Sequence, residues 1–277
     1  MQSNNPALRR SAEFSANSNA QTGYTDPSSW GTGTPGQPGV QTPVATGGPM
    51  TTDSVVQKTA ISVGLVMIVA AATWVLTPPI DEASSTDNLS SLIAVMTIGS
   101  LGAFALSLVN SFKRVISPAL VLAFAALEGM ALGGLSKFFD AIYGDHIIMQ
   151  AVVGTFAAFA GTLAAYKFFD IKVGKKFRTF VIAAVLGMVG LSVVELVLSL
   201  FNADFGLFGV SGIGMITAFA GLILGVFMLI LDFDFAEQLI AHGAPEREAW
   251  RVAFGLTVSL VWIYTNLLRI LAFFSQD

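Results

Sequence analysis

Five ionisable side chains stand within long apolar runs of the sequence: Glu128, Glu195, Asp232, Asp234 and Arg269. A charge at the centre of a bilayer costs roughly 3 kcal/mol or more unless it is paired, protonated or wet, so each is a candidate for function. The remaining chemistry is narrow. The 277-residue chain has no cysteine and two histidines, which excludes disulfides, cysteine-held zinc and thiol nucleophiles. Carboxylates, hydroxyls and a few cations are left, and oxygen ligands of that kind suit a hard cation.

Spacing sorts the five. Asp234 and Glu237 are three residues apart and share a helix face. Asp232 lies about 160° round from Asp234 at about 100° per residue. Flanked by Met228, Leu229, Ile230 and Leu231, Asp232 is the expected buried carboxylate, whereas Asp234 and Glu237 are expected at a solvated helix end near the headgroups. Glu128, midway along one run, and Glu195, deep in another, are open to a functional role or to a structural hydrogen bond with a neighbouring helix. Arg269 is expected to snorkel to the outer interface. Catalysis finds no support, because the sequence has no His-Glu-x-x-His pair, no Gly-x-Ser-x-Gly elbow and no Walker-type glycine loop. The last apolar run offers Thr257, Ser259, Thr265 and Asn266 but no second carboxylate for an aspartyl dyad. The expectation is a protein that is not an enzyme and carries no cofactor.

The elements that hold these residues must be membrane spans. Hydrophobic residues make up 54% of the chain and charged ones only 12%, against about 25% charged in a soluble domain. Mean hydropathy is +0.71 even with a polar N-terminal stretch included. The expected fold is an all-α polytopic membrane protein, a bundle of about seven transmembrane helices with the lipid bilayer as its partner. A formal net charge of -4 leaves no basic surplus for nucleic acid.

Residues 1–50, rich in Gly, Pro, Ser and Thr, are expected to form a disordered tail without the apolar core of a signal peptide, and 55–277 the transmembrane domain. Spans are expected at about Thr59–Thr77, stopped by Pro78 and Pro79, then Leu89–Asn110, Ile116–Ser136, Ile147–Phe169, Thr179–Phe201, Val210–Leu231 and Trp250–Phe274. Polar loops separate them, with Asp81, Glu82 and Asp87 in the first, and Lys137, Asp140, Asp145 and His146 after the third. Asn202 to Gly209, including Asp204, forms a short turn after the fifth. The acidic stretch from Asp232 to Glu237 could shorten the sixth span and make the last re-entrant. Gly129 with Gly133, and Gly221 with Gly225, have the spacing of helix-packing seams.

Lysine and arginine fix the expected orientation. Lys58, Lys113, Arg114, Lys167, Lys172, Lys175, Lys176, Arg178, Arg247 and Arg251 fall on the side of the N-terminus, and only Lys137 falls in the opposite loops. The positive-inside rule then puts the N-terminus in the cytoplasm of a multi-pass protein of the cell membrane.

Two stretches carry a family resemblance. Phe124-Ala-Ala-Leu-Glu128-Gly-Met-Ala-Leu-Gly133 resembles the third helix of the Bax-inhibitor-motif membrane proteins, the Bax inhibitor-1-like family. Leu231 and Asp232, followed by His242, Gly243, Trp250 and the run Leu267-Leu-Arg269-Ile-Leu271, is similar to their C-terminal signature. The resemblance runs from about Val55 onward and implies six or seven spans. For bacterial members it implies a calcium-permeable leak gated by protonation of paired aspartates. The sixth-helix aspartate of the pair falls on Asp232, and its partner in the last helix falls on Ser259, which is not an acid. The resemblance therefore implies calcium as the permeant or bound ion, Asp232 as the metal-contacting residue, and Ser259, Asp234 or Glu195 as its help. Other relatives act with membrane proteostasis machinery, which implies the alternative of a non-conducting adaptor or quality-control regulator with membrane protein partners.

Overall fold

The computed structural model describes residues 48–80, 86–144, 146–201, 203, 205–210 and 212–275. The chain divides into two units between Val44 and Ala45, and every helix among the described residues belongs to the second, Ala45–Asp277. The expected tail up to residue 47, and the expected loop residues Asp81, Glu82, Asp145, Asn202 and Asp204, lie outside the described residues.

Among the described residues, seven helices are long and apolar enough to cross a membrane. They are α1 (Thr52–Leu76), α2 (Thr86–Phe112), α3 (Pro118–Tyr143), α4 (Ile147–Phe168), α5 (Lys175–Ser199), α6 (Gly212–Ala241) and α7 (Ala249–Phe274), with a 3-10 turn at Glu246–Glu248. Local chemistry sets several ends. Thr51 and Ser54 form a capping box, in which the Thr51 hydroxyl accepts from the Ser54 amide at 3.2 Å and the Ser54 hydroxyl accepts from the Thr51 amide at 3.1 Å. That cap starts α1 about two turns before the span expected from Thr59. Pro118 sits in the first turn of α3, where its missing N–H costs nothing.

Two helices outrun their apolar runs. α3 continues past Ser136 through Lys137 and Asp140, and α6 continues past Leu231 through Asp232, Asp234 and Glu237. Hydropathy ends a span at its first charges, but these charges have partners and the helix goes on. Lys137 shows how: its ammonium donates to the carbonyls of Trp74 at 2.8 Å and Thr77 at 2.5 Å, so it caps the end of α1. α6 is neither shortened nor followed by a re-entrant segment, and α7 is one uninterrupted helix.

α7 is the axis of the bundle and packs against α1, α3, α4 and α6. Two apolar clusters lie along it. One gathers Val55, Leu229, Phe233, Val252, Leu256 and Ile263 around its first half. The other sets Leu132, Phe139, Ala151, Tyr264, Leu268 and Ala272 around its second. α3 is wedged between α1 and α2 along glycine seams. A Cβ on Gly129 would lie 2.6 Å from the Val66 carbonyl, and one on Gly133 would collide with the Ala70 carbonyl of α1. On the other side, a Cβ on Gly99 would lie 2.7 Å from the Ala131 amide. Close backbone approach of this kind drives helix association where lipid is as apolar as the helices.

The basic residues collect at one end, and hydrogen bonds tie its pieces together. Lys58, only 8% exposed, meets the Glu246 carboxylate at 2.6 Å. Arg251 donates to the Arg114 carbonyl at 2.8 Å, Arg178 to Asp234 at 2.8 Å and the Tyr166 hydroxyl to Glu237 at 2.7 Å. Part of the stretch expected as tail belongs here too. The Met50 amide donates to the Ala244 carbonyl at 2.8 Å and the Glu246 amide to Gly48 at 3.0 Å, which makes an antiparallel bridge.

The seam makes a sharp comparison possible. Gly133→Ala should lower the melting temperature of the detergent-solubilised protein by the equivalent of about 1–3 kcal/mol of overpacking, whereas Gly161→Ala, with open space at its Cα, should be neutral or slightly stabilising. Thermal melts of the two variants check this.

Candidate functional site

Asp232 sits on α6 about 14 Å from its end at Ala241, and Ser259 sits about 15 Å into α7, at 1.5 Å rise per residue. Their distances from the basic ends of the two helices match, which sets them side by side across the α6–α7 contact. The Ser259 hydroxyl, 1% exposed, donates to the Asp232 carboxylate at 2.5 Å. Gly255, one turn before Ser259, makes room for it: a Cβ there would lie 2.8 Å from Asp232 Oδ1. Sequence reasoning missed Gly255, although its place four residues before Ser259 on the same face was a usable signal.

The neighbouring acids face elsewhere. Asp234 departs from its expected solvated helix end. Its side chain is only 13% exposed and pairs with Arg178 at 2.8 Å, with Gln238 donating at 2.7 Å. Glu237 accepts from Tyr166 of α4. The two acids therefore stitch α4, α5 and α6 at the basic end and do not join Asp232.

Glu195 and Arg269 form a second group, far from Asp232. Glu195 is not deep in its span but one turn from the end of α5, about 30 Å from Lys175. Its carboxylate accepts from the amides of Leu207 at 3.1 Å and Phe205 at 3.3 Å. Arg269 does not snorkel outward. It turns into the bundle and donates to the carbonyls of Gly214 at 2.7 Å and Leu207 at 3.0 Å and to the Thr217 hydroxyl at 2.9 Å, with its guanidinium 5.3 Å from the Phe208 ring centre. The two charges thus clamp the connection between α5 and α6 from both sides. An arginine is suited to this task because its fork of donors can serve several carbonyls at once.

Glu128 also lies about 15 Å into its helix, α3, and lines a separate crevice between α2, α3 and α7. No hydrogen bond or ion pair holds it among the described residues. Of the six candidates, then, the structure brings together Asp232 with Ser259 and links Glu195 with Arg269 through a loop. Asp234 is tied to α5 and Glu128 stands apart. No cluster of three or more histidine, cysteine or acidic residues that could hold a metal occurs among the described residues.

A bundle of helices long and apolar enough to cross a membrane, seven among the described residues, with a carboxylate and hydroxyl pair between α6 and α7, defines a polytopic membrane protein. The Bax inhibitor 1 like family model matches residues 5–276, and the chain belongs to that family. The match reaches well before Val55, so the N-terminal stretch is included in it. No curated protein matches the chain.

The loop clamp has a measurable consequence. Arg269→Met should cost the loop about 2 kcal/mol or more of local stability and raise hydrogen exchange at the Phe205 and Leu207 amides about 30-fold. Exchange unchanged from the parent protein would mean that Glu195 alone holds the connection.

Proposed function

We propose that the protein is a cation leak, with calcium among the ions carried and Asp232 the carboxylate that the ion meets at mid-depth. The observation that supports this reading most is the Asp232–Ser259 pair. It places an acid at the centre of the bundle, on the position that the family resemblance gives to the ion-sensing aspartate of α6, with one hydrogen bond to hold it. A resident calcium site needs about six to eight oxygens, and a single carboxylate with a single hydroxyl supplies too few. Weak coordination suits passage, because a conducted ion must be bound well enough to enter and loosely enough to leave. With a serine in place of the second aspartate, the pair carries one negative charge at most, so calcium affinity is lower than an aspartate pair would give.

Orientation is part of the same proposal. The gathering of ten basic residues at one end favours that end as cytoplasmic, with the N-terminus on the same side and the end of α7 opposite. The membrane proposed is the cell membrane.

Purified protein in liposomes loaded with a calcium indicator should pass calcium. Asp232→Asn should change the rate several-fold and flatten its dependence on pH, since it removes the titrating group from the path. Equal tightness of parent and variant would overturn the leak and leave a non-conducting adaptor. The absence of native cysteine makes the orientation test clean. Lys172→Cys should react with a membrane-impermeant maleimide only after cells are permeabilised, and Ser275→Cys should react in intact cells. The reverse pattern would invert the topology.

A further inference from the structure

A second acid at mid-depth has a setting of its own. The crevice that Glu128 lines has a volume of about 290 Å³ and is walled by α2, α3 and α7. Its other prominent walls are the aromatic rings of Phe104, Phe124 and Trp262. Among the described residues no cation lines it, and of its three lining hydroxyls two are occupied, Ser107 donating to the Phe104 carbonyl at 2.7 Å and Thr265 to the Trp262 carbonyl at 3.0 Å, with Ser100 of α2 the third. Trp262 directs its indole N–H away, to the Gly221 carbonyl of α6 at 2.8 Å, and leaves ring surface to the crevice. Phe104 is 51% exposed on the outer side of α2, so the opening faces the hydrocarbon.

We infer that this crevice binds an organic amine with an apolar body, which enters sideways from the bilayer as the neutral base and takes the Glu128 proton to become the ammonium. The chemistry selects that class. An inorganic ion would find one carboxylate and mostly carbon, far short of the oxygens that calcium or magnesium requires. An organic cation brings its own apolar surface to the aromatic walls, sets its charge against the ring faces and completes an ion pair with Glu128. A pocket near 300 Å³ accommodates a small ligand of this type. The position at mid-depth excludes a lipid headgroup, which stays about 15 Å away at the interface. The site is distinct from the Asp232–Ser259 pair, which α7 presents to α6, and it does not rest on the leak.

The test uses N,N-dimethylbenzylamine, titrated calorimetrically into the full-length protein in lipid nanodiscs, with empty nanodiscs as the blank. Saturable binding at one site is expected. Isobutylbenzene, which has the same shape with carbon in place of nitrogen, should show no binding beyond the blank. Glu128→Gln should weaken binding of the amine about 10-fold or more and Phe104→Leu should weaken it several-fold, while Asp232→Asn should leave it unchanged. Absence of saturable binding, equal binding of the neutral isostere, or loss in Asp232→Asn with retention in Glu128→Gln would each overturn the inference. The isostere comparison and the Phe104 variant keep the test valid should Glu128→Gln fail to fold.

Discussion

α7 carries more polar groups than a helix at the centre of a membrane bundle can leave unsatisfied, and the arrangement of its neighbours follows from that. Hydrocarbon offers no hydrogen bonds, so each hydroxyl, amide and guanidinium on it must find a partner in protein. Ser259 finds Asp232 on α6, and Tyr264 shares a hydrogen bond of 2.6 Å with Ser136 on α3. Asn266 turns to the carbonyl of Trp262 in its own helix, and Arg269 takes the loop before α6. These partners come from three different segments, which fixes both the rotation and the depth of α7 against each. The apolar residues between them then have only one way to pack.

Glycine makes that polar wiring possible by bringing backbones close enough for short side chains to reach. A Cβ on Gly221 would overlap the Asn266 amide, one on Gly225 would lie 2.6 Å from Ile263, and Gly255 clears the space for Asp232. The α6–α7 contact is therefore both rich in small residues and the one that holds Asp232. Packing and the candidate ion contact share the same residues, so a substitution that loosens one disturbs the other. Asp234 and Glu237, two and five residues further along α6, serve a different end by holding α5 and α4.

Much of the fold is legible in the sequence, and the rest is hidden for identifiable reasons. Seven apolar runs of spanning length, the two prolines after α1 and the lopsided distribution of lysine and arginine carry the fold class and each helix in outline. The continuation of α3 over Lys137 and of α6 over Asp234 is not visible there, because hydropathy scores a charge the same whether it faces water or a partner. Those partners are remote: Arg178 lies 56 residues from Asp234 and Tyr166 lies 71 from Glu237. Asp232 stands out through its apolar flanks, but Ser259 can be tied to it only through the family resemblance. Arg269 departs from expectation since snorkelling is the default for a long cation near a helix end, and only the fold brings it a ring of carbonyls.

The bond between Lys58 and Glu246 spans 188 residues, almost the whole length of the membrane domain. During synthesis Lys58 enters with the first helix, while its carboxylate arrives only with the segment that leads into the last. The seams of α3 with α1 and α2 join helices made early and close together in the chain, so that trio can assemble first. A nascent chain halted before the Glu246–Glu248 turn then displays an unpaired lysine and the uncovered faces of α1, α3, α4 and α6. Arrival of the turn supplies the lysine's partner and the helix that follows covers those faces, which makes the ion pair a mark that the chain has reached its last crossing.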